Sequence, residues 1–298
     1  MSLNRPIWKL RDWIKVEKLD WTFLSENPRA IKLLSENKDK INWSNLSENP
    51  EAISILKDNQ DKINWHRFSS NPEAIKILEE NSDKIDWSFL AQNINGIHLF
   101  KIKSNVYEYN WRILSANSAA IQLLEENQDK IDWYLLNLNP NGVSILLKNK
   151  DKINWEMLSG NPGAIQLLED NKDKIDWFYL SENPNGISLL LENKDKINWY
   201  QLSKNTNPEV IKLLAENKNK INWFNLSSNP NAIKLLYENP DKINWYQLSK
   251  NPAIFELDYD AMRIANQELE EELIKEVMKP SRVFKNPHYD YLEELFGD

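Results

Sequence analysis

The sequence has no cysteine, only six glycines and only three histidines among 298 residues. Without cysteine there are no disulfides and no thiolate metal sites, which suits a reducing compartment such as the cytosol. Glycine-rich phosphate loops are missing, and no Ser-His-Asp arrangement is evident. His66, His98 and His288 stand in unrelated positions, which argues against a metal site or a proton relay. No apolar run approaches the roughly 20 residues that span a bilayer. The opening "MSLNRPIWKLRDW" carries no apolar signal core, so secretion is not expected.

An excess of positive charge is also missing. The formal net charge is −8, and residues 256–298 hold 12 acidic against 5 basic side chains. The remaining body is nearly neutral, which is poor material for gripping a nucleic-acid backbone. No nucleic acid, membrane or cofactor is therefore expected as a partner.

What the chain has in abundance is tryptophan. From Trp21 onward they stand at Trp43, Trp65, Trp87, Trp111, Trp133, Trp155, Trp177, Trp199, Trp223 and Trp245. Eight of the ten intervals are 22 residues and two are 24. A fixed period of this size marks a repeat array. The repeat reads W-x-x-L-S-x-N-P-x-A-I-x-L-L-x-E-N-x-D-K-I-N/D. Asn or Asp precedes each of these tryptophans, a residue type that caps helix N-termini. A short first helix is expected over Trp43 to Ser47. Asn49-Pro50 then opens a second helix to about Asp58, because proline suits the first helical turn. Asn59 ends it, as a residue that tolerates the left-handed conformation. Ala52, Ile53, Ile55 and Leu56 share one helical arc, and Trp43, Leu46 and Ser47 share another.

One such repeat buries too little apolar surface to fold alone, so neighbours must stack. The fold class expected is all-α: a right-handed α-solenoid, or superhelix, of about eleven short helix pairs. Ten helix–helix joints of about 8–10 Å give a rod or superhelix on the order of 100 Å long. Residues 1–20 are expected to be an N-terminal cap, with Trp8 and Trp13 closing the stack. Residues 21–257 form the repeat domain, and 258–298 an acidic, helical C-terminal cap or tail. In the latter a helix from Asp258 to Met278 aligns Met262, Ala265, Leu269, Leu273 and Val277. Pro280 ends it, and "YDYLEELF" suits a last short helix. Two-residue insertions interrupt the period near 101–109 and 205–207.

The stretch "NWSNLSENPEAISILKDNQDKI" (42–63) and its copies, the opening "WIKVEKLDW" and the close "NPAIFELDYDAMRIANQELEEELIKEVMKPSRV" carry a resemblance. Together they are similar to tandem-repeat, uncharacterised proteins of giant nucleocytoplasmic large DNA viruses of the mimivirus type. The resemblance covers nearly the whole chain and loosens after Val283. It implies a viral protein acting in the host-cell cytoplasm, at the virus factory, or in the virion. It brings no catalytic residues.

Catalysis needs residues that converge once, whereas the polar columns here recur in nearly every repeat. Asp39, Asp61, Asp83, Asp129, Asp151, Asp173, Asp195 and Asp241 hold one position, read as a turn, a cap or a pair with the next lysine. The connector "NKDKIN" lacks the glycine and distal glutamate of a calcium loop. The serine column reads as close packing plus a bond to the preceding turn. No enzyme, metal site or cofactor is expected.

Function is sought in exposed columns that vary on the constant frame. The residue after each tryptophan turns aromatic in the second half: Tyr134, Phe178, Tyr200, Phe224, Tyr246. The next column adds Phe23, Phe89 and Tyr179. A row of rings suits lateral packing inside the protein first, and a protein-binding stripe second. A nucleic-acid stacking surface is disfavoured, since no basic groove accompanies it. The polar column Lys32, Ser54, Lys76, His98, Gln122, Ser144, Gln166, Ser188, Lys212 and Lys234 is a second exposed face. The expected function is a non-enzymatic scaffold for protein–protein interaction, with a host or viral partner; the alternative is a structural virion component.

Overall fold

The computed structural model describes residues 6–102 and 110–279. It has two compact bodies: Leu10–Phe255, and Met1–Lys9 together with Glu256–Asp298. The fold is an all-α repeat solenoid, with one two-stranded sheet among the described residues, formed by β1 (Trp8–Leu10) and β2 (Phe255–Leu257). The second body holds the helix Tyr259–Val277, capped by the Asp258 carboxylate, which accepts from Ala261 N–H at 3.1 Å. Leu269, Leu273, Val277 and the "YDYLEELF" segment lie outside the side chains described. No described helix is long and apolar enough to cross a membrane.

Each repeat begins at its tryptophan. In the second repeat the first helix is Trp43–Leu46, started by the Asn42 side chain, which accepts from Asn45 N–H at 3.1 Å. Asn49 turns the chain, and its side chain accepts from Glu51 N–H at 3.1 Å. A 3-10 turn over Pro50–Ala52 runs into the second helix, Ile53–Lys57. Asn59 is not left-handed as expected. Its φ is −135°, and its side-chain amide donates to Ile55 O at 2.8 Å. The amide thus satisfies a carbonyl that a left-handed turn would otherwise have covered. A second 3-10 turn, Gln60–Lys62, leads to the next tryptophan.

The centre of the core is two columns of large, fully buried side chains, with fully buried Ala30, Ala52 and Ala74 between them in sequence. Leu24, Leu46, Phe68, Leu90 and their successors come from the first helices, and Leu34, Leu56, Leu78 and Phe100 from the second. The tryptophans are only half-buried. Lysines of the connectors lie over their faces, as Lys62 over Trp43 at 4.4 Å and Lys196 over Trp177 at 4.6 Å. In other connectors the lysine pairs with its aspartate, as Lys130 with Asp129 and Lys152 with Asp151, both at 3.1 Å.

Two polar ladders join the repeats. Each serine after the buried leucine donates to its own tryptophan carbonyl and accepts from a backbone N–H in the next repeat. Ser47 does so with Trp43 O at 2.8 Å and Asn64 N at 3.0 Å. Where asparagine replaces the serine, Asn137 makes the same pair of bonds, to Trp133 O and from Asn154 N. The second ladder is the asparagine before proline. Asn71 is fully buried and donates to Ser47 O and Asn49 O, each at 3.0 Å. Burial of so many amides is tolerable because they are paired. The insertion near 206 is absorbed by splitting two jobs. Asn205 makes the ladder bonds to Ser181 O and Asn183 O, and Asn207 caps the helix Pro208–Glu216. The insertion near 101–109 falls largely outside the described residues.

The body Leu10–Phe255 closes on itself. The first repeat docks on the eleventh through the joint used everywhere else. Asp20 N–H donates to Ser249 Oγ at 2.8 Å, and Asn27 donates to Ser249 O and Asn251 O at 3.1 and 3.2 Å. The residues before Trp21 supply the connector that the eleventh repeat lacks. Val16–Lys18 is its 3-10 turn, Leu19 is buried where Ile41 is elsewhere, and Lys18 lies over Trp245 at 5.0 Å. Arg11 N–H bonds Ile254 O, and its Nε bonds Ala253 O at 2.8 Å. Trp13 packs against Tyr237 with ring centroids 5.4 Å apart. Neighbouring first helices run closest together, as Trp21–Glu26 against Trp43–Leu46, while the second segments of neighbouring repeats meet at their 3-10 turns, as Pro208–Glu216 against Pro230–Ala232. In a closed array the more closely spaced layer has the smaller radius. The first helices therefore form the inner layer and the second helices the outer.

Candidate functional site

The residue after each tryptophan stands on the first turn of a four- to six-residue helix, opposite the buried leucine. That geometry turns it outward. Tyr134 is 53% exposed, Tyr200 50%, Phe224 49%, Tyr246 48% and Phe178 43%. Tyr179, one residue on, is half-buried, with its ring edge-on to Phe178 at 5.2 Å. These rings belong to the inner layer.

The row has a register across joints. A residue of the first outward column lies against the second-column residue of the next repeat. His66 meets Phe89 at 3.6 Å, and Tyr246 meets Phe23 edge-on at 4.2 Å across the closing joint. Glu156 approaches Tyr179 in the same way. Burial, with the Glu156 carboxylate beside it, raises the Tyr179 hydroxyl above its ordinary range. The structure thus brings Phe178, Tyr179, Tyr200, Phe224, Tyr246 and Phe23 into consecutive repeats. Tyr134 is separated from them by Glu156.

Several members of this face were not legible as a site. Lys204 lies over the Tyr200 ring at 5.2 Å and pairs with Glu182 at 3.6 Å. Lys250 lies over Phe23 at 4.0 Å. Glu26, which accepts from Asn45 at 2.7 Å, is pushed up by burial, with Lys250 opposing and Glu48 adding. All three positions are five residues after a tryptophan, a column whose period was visible but whose neighbours were not. Gln201 is 5% exposed, and its Oε1 is buried without a hydrogen-bond partner. The register that sets Tyr246 on Phe23 places it beside Phe178.

The other candidate face is solvated. Lys32, Ser54, Lys76 and the rest of that column are exposed on the outer layer. His98 bonds Asn95 O and Glu79, while His66 bonds Asp86 at 2.6 Å. Among the described residues no group of three or more His, Asp or Glu is placed to hold a metal ion. No protein-family model, curated protein or solved structure matches this chain.

Proposed function

We propose that this protein is a non-enzymatic scaffold that engages another protein through the aromatic row of its first helices. The observation behind the reading is the half exposure of five large rings held in register on a rigid frame. Lateral packing would bury such rings further; aromatic side chains with one open face concentrate at interface centres. The reading extends to a partner in an infected cell, host or viral, in the cytoplasm or the virion, as the resemblance to giant-virus repeat proteins implies.

The test compares affinity capture from infected cells by the wild-type chain and by a Tyr200→Ser/Phe224→Ser/Tyr246→Ser variant. The partner retained by the first and lost by the second identifies the surface. Unchanged capture by the variant sinks the reading. High copy number in purified particles would assign the chain to the virion instead.

A further inference from the structure

We propose that the closed body opens at one set joint, between the fourth repeat, which begins at Trp87, and the fifth, which begins at Trp111. The inference does not depend on what the aromatic row binds. It follows from how unevenly the joints are tied.

Ten joints share one tie. At each, a serine, or Asn137, accepts a backbone N–H from the next repeat at 2.8–3.0 Å. At the eleventh, Ala91 stands in the serine column, fully buried and without a hydroxyl. Asn110 N–H therefore has no acceptor in Ala91, where Asn64 N–H has one in Ser47. The asparagine ladder is longer there too. Asn117 donates to Ala91 O at 2.9 Å but to Asn93 O at 3.3 Å, against 3.0 Å for both bonds of Asn71. A missing hydrogen bond and a stretched one leave this joint less firmly held than its neighbours.

Repeat length is not the cause. Trp199 to Trp223 also spans 24 residues, yet Ser203 there accepts from Asn222 N–H at 3.0 Å. The substitution of serine by Ala91 removes the tie.

The obvious rival is the joint between the eleventh repeat and the first, because the chain does not run on across it. That joint is reinforced instead. Besides the serine and asparagine bonds, Arg11 N–H bonds Ile254 O at 3.0 Å, and Arg11 Nε bonds Ala253 O at 2.8 Å. Trp13 packs on Tyr237. In a closed array one joint must part before the rest can turn, and local opening starts where the fewest buried bonds hold. Parting between the fourth and fifth repeats gives the layer of first helices an entrance from the side.

The test places spin labels in the exposed outer column and reads distances by pulsed electron paramagnetic resonance. The chain has no cysteine of its own, so each pair reports alone. Lys76→Cys/Gln122→Cys spans the proposed joint. Ser144→Cys/Ser188→Cys spans two fully tied joints, and Lys32→Cys/Lys234→Cys spans the closing one. In urea just below the unfolding transition, a second, longer distance is expected in the first pair alone. Ala91→Ser should lower its population about tenfold, the weight of one restored buried hydrogen bond. Ser159→Ala is the converse, because it removes the acceptor of Asp176 N–H. It should create a longer distance in the second pair, whether or not serine fits at position 91. Four results overturn the proposal: a single distance in the first pair, a longer distance in the closing pair, an unchanged population in folded Ala91→Ser, or no effect of Ser159→Ala on the second pair.

Discussion

Ser249 accepts a hydrogen bond from Asp20 N–H at 2.8 Å, across 229 residues of sequence. Ser25 accepts the equivalent bond from Asn42 N–H at 3.0 Å, across 17. The two bonds belong to the same joint, made once by closing the chain and elsewhere by continuing it. Ser249→Ala should therefore cost about as much as Ser47→Ala, roughly 1–3 kcal/mol each, because both orphan a backbone N–H. Thermal or urea unfolding of the two variants side by side checks this. A near-neutral Ser249→Ala would mean that the array is open in solution.

Gln201 is the opposite case, a buried polar atom with nothing to bond. Met157 occupies the same column one tryptophan helix earlier but one, and is 5% exposed without difficulty. Gln201→Met should raise stability by about 1 kcal/mol, because it removes an unpaired acceptor at nearly constant volume. A loss of stability would mean that Gln201 has a partner in solution.

Asp86 caps the helix Trp87–Leu90 and bonds His66. Burial alone would raise its pKa, but the His66 ring and the N–H groups of Phe89 and Ser88 outweigh that and hold it below its ordinary value. A depressed carboxylate adds stability above its unfolded pKa, and the contribution fades as pH falls through the folded one. Wild type should therefore lose, below about pH 4, a small increment that Asp86→Asn never had. Asn already fills this position at Asn42 and Asn64, so the variant keeps its cap. Parallel stability–pH curves for the two proteins would refute the assignment.

Gly163 sits where a Cβ would lie 2.0 Å from Pro140 O and 2.9 Å from Pro140 C. Those are backbone atoms and cannot swing aside. Gly163→Ala should cost roughly 1–3 kcal/mol, as overpacking does. Glu51 and Ala119 occupy the same column in other repeats, so the cost would mark a closer local approach of the seventh repeat to the sixth. Unchanged unfolding of Gly163→Ala would show that the two repeats can separate freely.

The repeat was readable because its causes are local. Asn42 before Trp43, Asn49 before Pro50 and the spacing of Leu46 and Leu56 each act within a few residues. Side-chain routes were harder to read. Asn59 ends its helix with an amide rather than a left-handed backbone, and both use the same residue type. Ser47 was legible as a donor to its own turn, but its acceptor role depends on Asn64, which only stacking brings near. Closure left one trace, the sequence "VEKLDW" at 16–21, a worn copy of the connector "KDKINW". It looked like an end cap because the sum of ten small rotations is not written in any one of them. The aromatic row was legible as a column, and its continuation across Tyr246 and Phe23 was not, for the same reason.

An open array can gain or lose a copy of its repeat at little cost, since only the ends notice. Here eleven copies share a full turn, about 33° each. Deleting one would ask about 36° of every remaining joint, and duplicating one about 30°. Tandem sequence of this kind readily slips in copy number when it is replicated. In this protein the joint between Ser249 and Asp20 turns that slippage into a fault felt by all repeats, so the number eleven is itself under structural constraint.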